Sequence, residues 1–320
     1  MRAPTGVRYA RIMALGEYRP ATVVTNDDLA ARVDTSDQWI RDRVGVVTRR
    51  IARADESVVD MAAAAGGKAI AACGLQPSDI DLIVVATCSM PSSIPNAAAQ
   101  VGSRLGIRAP GAFDINAACA GFVYAVSTAA SAVVSGNARH VLVVGAEKLS
   151  DWVDWDDRST CIIFADGAGA AVVGPSDTPA IGPAAWGSVG DMADTITIRD
   201  RSSYLWQDGQ AVFRWATTAL APVAREACEL AGVDPAELAA FVPHQANLRI
   251  IETIARKLGA DRAVLARDIV ESGNTSSASI PLALSRMVQR GEVAAGAPVL
   301  TLGFGAGLTY AGQVVLCPRA

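Results

Sequence analysis

The chain has 320 residues, is 51% hydrophobic but only 5% aromatic, and carries a formal net charge of -4. This small-residue-rich α/β composition can bury a large core in one big or two ordinary domains, and it lacks the basic signature of a nucleic-acid binder. The six cysteines (Cys73, Cys88, Cys119, Cys161, Cys228 and Cys317) form no CxxC pair, which argues against a zinc site or disulfide framework.

Residues 1–10 lack the apolar centre of a signal peptide, and no uncharged apolar run reaches the ~18 residues a membrane span needs, so a soluble cytoplasmic protein is expected. Residues 9–15 read as the first strand. Thr25 and Asn26 then cap a short helix, and residues 35–45 form a second capped helix carrying Trp39. A longer helix runs from Ser57 to about Cys73, and Gly74 ends it. Residues 81–87 are a continuous apolar strand of the kind buried on both faces. After a Pro91–Pro95 loop and a helix over 97–105, residues 112–124 read as strand, small-residue turn and helix, the last running to about Val134. Cys119 sits where that helix begins, where unpaired N–H groups and the helix dipole favour a thiolate. Taken alone, it is more often a packed structural thiol. Residues 141–145 are a third buried strand. Residues 162–173 read as a strand pair joined across a glycine-rich bend, a weak phosphate-loop signal because no lysine and helix follow.

The second half repeats the plan. A helix over 213–231 precedes a strand over 238–242 that ends in Pro243-His244-Gln245-Ala246-Asn247, and a helix continues to Leu258. Residues 268–276 lead into another small-residue helix, 298–303 are a strand, Gly305-Ala306-Gly307 is a bend, and 311–316 close the chain. Asp114-Ile115 pairs with Asp268-Ile269, 141–145 with 299–303, and the strand opening at Asp81 with the one ending at His244. The expectation is an αβαβα five-layered sandwich of two duplicated halves, residues 1–176 and 177–320, divided near 174–182. Cys119, His244 and Asn274 then lie at strand-end to helix-start junctions, where ligands of α/β sheets bind.

The stretches from Asp114 to Tyr124, Val242-Pro243-His244-Gln245-Ala246-Asn247, Ser272-Gly273-Asn274-Thr275-Ser276 and Gly303-Phe304-Gly305-Ala306-Gly307 resemble the signatures of β-ketoacyl-[acyl-carrier-protein] synthase III, in the thiolase superfamily. The resemblance implies that Cys119 takes an acyl group from acyl-CoA, with the backbone N–H groups of Cys119 and Gly305 as oxyanion hole. His244 and Asn274 then stabilise the enolate formed when malonyl-acyl-carrier protein loses CO2. It further implies CoA contacts at Trp39, Arg43, Arg158, Gly209, Phe213 and Asn247, and an acyl pocket at Ile94 and Phe304. Carrier-protein contacts are expected at Arg214, Gln245, Arg249, Arg256 and Lys257. Arg256 and Lys257 follow Arg249 by seven and eight residues, about two helical turns, and so share its face. No metal and no organic cofactor are expected, and a homodimer is. In this family Ile94 falls where a residue reaches across the dimer to gate the acyl pocket, and the 186–213 region, with its Tyr204-Leu205-Trp206-Gln207, is short and unusual. Two other readings compete: an acyltransferase that passes the acyl-Cys119 group to another nucleophile, and a non-catalytic partner that only binds carrier protein.

Overall fold

The computed structural model describes residues 6–319, so the expectation for residues 1–10 lies partly outside the described residues. Two five-stranded mixed sheets share one strand plan. In the first, the order is Tyr9–Tyr18, Asp166–Ser176, Val141–Lys148, Leu82–Ala86 and Gly111–Ile115. In the second it is Ile181–Ser188, Thr309–Leu316, Pro298–Gly305, Ala240–Pro243 and Val264–Leu265. In each, the last three strands run parallel and the first two pair antiparallel. The chain passes from one sheet to the other between Ser176 and Ile181.

The apolar clusters define the layers. Val58–Ala72 and Ala97–Arg104 pack on the outer face of the first sheet, burying Met61, Ala65, Ile70 and Val101 against Ile83, Val85, Leu142 and Val144. Gly209–Ala231 and Leu248–Leu258 do the same on the second, through Leu220, Ala224, Ile250 and Ile254. Between the sheets lie Gly121–Val134 and Ser279–Gln289, whose Phe122, Val126, Ile280 and Leu284 touch strands of both sheets. Helices, sheet, helices, sheet, helices is the five-layered order expected. Local signals place the helix starts. Ser57 and Asp60 form a reciprocal capping box, as do Thr25 and Asp28.

Two expectations are corrected. Residues 166–176 are one unbroken strand, not two strands across a bend, and after the short helix Arg158–Cys161 residues 162–163 form a turn and Phe164 bridges to Asn274. The glycines are there for clearance. A Cβ on Gly169 would lie 2.7 Å from Pro281 Cβ and 2.8 Å from Leu282 N. Second, Asp114 and Asp268 are not counterparts. Asp114 lies in a strand, and its carboxylate accepts from Ala97 and Ala98 N–H at 2.7 and 2.8 Å, capping the start of the preceding helix Ala97–Arg104. Asp268 instead precedes the helical turn Ile269–Ser272 and pairs with Arg19 and Arg286.

The true repeat is one step later. Asn116 Oδ1 accepts from Ala118 N–H at 3.3 Å and Asn274 Oδ1 from Ser276 N–H at 2.8 Å. Ala118 and Ser276 share a left-handed φ, 44° and 48°, and each opens a single 3-10 turn before its central helix. Cys119 therefore corresponds to Ser277. Each turn is pressed on a glycine of the opposite sheet. A Cβ on Gly145 would fall 2.5 Å from Ser277 O, and one on Gly303 would fall 2.7 Å from Ala120 Cα. Both contacts are with backbone, which cannot swing aside. Gly145→Ala and Gly303→Ala are each expected to destabilise the fold by about 1–3 kcal/mol, read as a lower denaturation midpoint. Unchanged midpoints in both variants would contradict this packing.

Candidate active site

Cys119 stands in the 3-10 turn Ala118–Ala120, ahead of the helix Gly121–Val134. Its side chain is pressed beneath Gly305, where a Cβ would lie 2.8 Å from Cys119 Sγ and 3.1 Å from its N. The φ of Gly305 is 176°, extended backbone open to any residue, so glycine is required for space rather than conformation. The thiol feels opposing influences. Burial pushes it up to about 12, whereas a hydrogen bond from Ser276 favours the thiolate. The dipole expectation is thus corrected for the resting state, because desolvation outweighs it.

His244 follows the strand Ala240–Pro243, and its N–H donates to Leu302 O at 2.7 Å. The ring meets Phe304 edge-on at 5.2 Å, and Nδ1 lies 2.7 Å from Ser279 Oγ. Burial pulls its pKa down to about 3, so the imidazole is neutral at physiological pH. Asn274 is fixed by its backbone, which donates to Ile163 O at 2.8 Å and accepts from Ala165 N–H at 2.9 Å. Because Oδ1 takes the Ser276 N–H, the side-chain NH2 is left for the cavity. Gly273 just before it has φ 68°, a conformation that favours glycine. Arg19 and Arg286 brace this segment, Arg19 pairing with Asp268 at 2.9 Å and Arg286 with Asp268 and Glu271 at 2.8 Å.

Cys119, His244, Asn274, Ser276, Phe304 and Gly305 line one cavity of about 430 Å³. Its wall continues along Leu149, Trp152, Ile196, Ile198 and Leu205, an apolar lobe suited to a hydrocarbon chain. In the other direction Gly209, Phe213 and Asn247 are shared with an outer hollow of about 680 Å³ that holds Trp39, Arg43, Arg158, Trp206, Arg214 and Arg249. A buried thiol and two neutral donors at the foot of a channel with an arginine-rich mouth suit acyl transfer from an anionic carrier molecule.

Known proteins agree. A family profile described as 3-Oxoacyl-[acyl-carrier-protein (ACP)] synthase III matches residues 113–190, and its C-terminal companion matches 228–317. The chain is 56% identical to β-ketoacyl-[acyl-carrier-protein] synthase III 4 of Streptomyces coelicolor, over 97% of this chain and 99% of that one. It belongs to the β-ketoacyl-[acyl-carrier-protein] synthase III family. A mycobacterial β-ketoacyl-[acyl-carrier-protein] synthase III of Mycobacterium avium is 47% identical, over 99% of this chain and 98% of that one. Among solved structures, the priming β-ketosynthase from the R1128 polyketide biosynthetic pathway superposes with a TM-score of 0.96 and 45% identity, covering 100% of this chain and 99% of that one.

The other residues expected from this family resemblance divide into groups. Trp39, Arg43, Arg158, Gly209, Phe213 and Asn247 all border the outer hollow. The Arg158 guanidinium already lies 4.7 Å from the Trp39 ring centroid, so the slot expected to take an adenine is filled by its own walls. Arg214 and Arg249 are exposed at the mouth, and Arg249 stacks on Phe213 at 5.2 Å. Arg256 and Lys257 are exposed farther along the helix, outside that hollow. Gln245 is corrected. It is 1% exposed, donates to Pro243 O at 2.6 Å and accepts from Ile269 N–H at 3.1 Å, so it ties two loops together and offers nothing to a docking protein. Ile94 is 84% exposed and does not line the cavity of its own chain. Phe304 lines the cavity beside His244.

Residues the sequence reading passed over include Ser276, Ser279 and the buried Glu147. The Glu147 carboxylate accepts from Ser89 Oγ at 2.5 Å and lies 2.8 Å from Ser277 Oγ, binding the first sheet to the second turn. The only advance signal for the serines was their place in the run after Asn274. Gly305→Ala is expected to slow acyl transfer to Cys119 on the order of 10²-fold with the far-ultraviolet spectrum unchanged. Intact-mass time courses check this, and wild-type acylation of the variant would contradict the clearance argument.

Proposed function

We propose that the chain catalyses decarboxylative Claisen condensation of an acyl-CoA primer with malonyl-acyl-carrier protein, initiating fatty-acid or polyketide chains. The observation that carries this reading is the convergence of Cys119, His244 and Asn274 on one cavity, with both nitrogen donors neutral and unspent. Residues 1–176 then supply the nucleophile, and residues 177–320 the two donors. Cys119 Sγ attacks the thioester carbonyl and its proton leaves with the CoA thiol. The oxyanion is held by the N–H groups of Cys119 and Gly305. Malonyl-carrier protein enters next. His244 Nε2–H and the Asn274 NH2 donate to the malonyl thioester oxygen, stabilising the enolate as CO2 departs, and the enolate carbon attacks acyl-Cys119. Neither donor changes charge over the working pH range, so the enolate meets the same field throughout. The step draws on no metal or organic cofactor.

Binding follows from the same walls. CoA enters past Trp39, Arg43, Arg158, Gly209, Phe213 and Asn247, and the primer lies along the apolar lobe. Arg214 and Arg249, with Arg256 and Lys257 on the same helix face as Arg249, meet an acidic carrier protein. We also read the protein as a cytoplasmic homodimer. The open edge strand Gly111–Ile115, with Phe113 37% exposed, supports pairing, which would carry Ile94 of each chain to the acyl lobe of the other. Transfer of the acyl group to a different nucleophile has less support, because it leaves the His244–Asn274 donor pair without an enolate to serve.

Intact mass after incubation with a series of acyl-CoAs is expected to show an adduct that Cys119→Ala lacks and that malonyl-carrier protein discharges with CO2 release. An adduct stable to malonyl-carrier protein would instead support acyltransfer to another nucleophile. No adduct from any acyl-CoA would contradict the proposal. His244→Ala and Asn274→Ala are expected to form the adduct but to condense on the order of 10²- to 10⁴-fold more slowly. If acylation falls as far as condensation, the two side chains do not divide the work as described.

A further inference from the structure

Enolate stabilisation by His244 needs the proton on Nε2, which a neutral imidazole carries in only one of its two tautomers. We propose that Ser279 is a positioning residue that fixes His244 in the Nε2–H tautomer. This rests on the condensing reaction proposed above. Ser279 is the first residue of the helix Ser279–Gln289 and is 1% exposed, as is His244. Its Oγ has two described partners, the Gln245 backbone N–H, which donates to it at 3.2 Å, and His244 Nδ1 at 2.7 Å.

The assignment comes from counting protons. A serine hydroxyl has a single hydrogen to donate, and the Gln245 amide can only give one to it. If Nδ1 carried the imidazole proton, Ser279 Oγ would accept twice and its own hydrogen would have no partner among the described residues, at a buried position. A buried donor left unpaired costs about 1–3 kcal/mol. If Nδ1 is instead the acceptor, every group is satisfied: Gln245 N–H donates to Oγ, Oγ–H donates to Nδ1, and the proton resides on Nε2. An imidazolium would also need Nδ1–H, so the same serine resists protonation. Burial acts in that direction as well. Gln245 thereby acquires a role, since its buried backbone anchors the serine that orients the catalytic ring.

The test uses the whole protein. The chain contains only two histidines, His140 and His244. Histidine-selective ¹⁵N labelling therefore yields a spectrum of four ring nitrogens, and His140→Gln assigns them. In the wild type, His244 is expected to show a pyridine-type Nδ1 and a pyrrole-type Nε2, unchanged between pH 5 and 8. The protonated nitrogen appearing at Nδ1, or an exchanging mixture, would overturn the proposal whatever the enzyme's activity proves to be. Ser279→Ala is expected to acylate Cys119 within about twofold of the wild-type rate but to lose on the order of 10- to 100-fold in condensation kcat, with Ser279→Thr restoring most of it. Equal losses in both half-reactions, or no loss in condensation, would also overturn it. Failure of the wild type to condense malonyl-carrier protein would instead sink the functional reading and leave the tautomer measurement standing.

Discussion

The active site depends on how closely two backbones approach where the halves meet. The 3-10 turn holding Cys119 rests on Gly303 of the second sheet, and the corresponding turn holding Ser277 rests on Gly145 of the first. Because each turn is positioned by the opposite half, neither half alone has a finished floor for the cavity. The mixed small-residue composition follows from this. Central helices rich in alanine and serine can approach both sheets at once, and Gly121, 3.0 Å from Ala86 Cβ by its would-be Cβ, lets the nucleophile helix start against the strand. Close packing here sets atomic positions more than it adds stability.

Desolvation shapes the chemistry in opposite senses at the two reactive groups. It raises the thiol of Cys119 and lowers the imidazole of His244, so the resting pair is neutral and exchanges no proton. Once a thioester arrives, its developing negative charge is the strongest feature in a low-dielectric pocket, and donors already aimed at it need no rearrangement. Ser276 serves both groups, its N–H setting the Asn274 amide and its side chain favouring the Cys119 thiolate.

Much of this was legible in the residues. Cys119 and His244 stood out because each follows a recognisable strand within a repeated plan, and short motifs around all three residues resemble one family closely, although Asn274 follows the helical turn Ile269–Ser272 and not the expected strand end. Caps at Ser57 and Thr25 were readable because their partners are three residues away. What escaped depended on distant partners. Gly167 and Gly169 looked like a bend because sequence shows missing side chains but not the neighbouring Leu282 and Pro281 that explain their absence. Asp114 and Asp268 looked alike because charge and apolar neighbour match, although one caps a helix and the other is held by two arginines. Gln245 was placed at the carrier-protein surface by resemblance, while its amide is consumed inside.

The contact between Arg158 and Trp39 has a consequence for turnover. Arg158 already stacks on Trp39, so a nucleotide entering the slot proposed there would have to displace a partner held at full local concentration. The apparent affinity for any ligand that needs this slot is reduced by the fraction of time the slot is open. That reduction applies equally to substrate and spent CoA, and a slot that recloses once emptied slows rebinding of the latter. A ketosynthase of this design must empty its channel of one thiol carrier before a second can enter, so a gate that closes on itself favours alternation over tight retention.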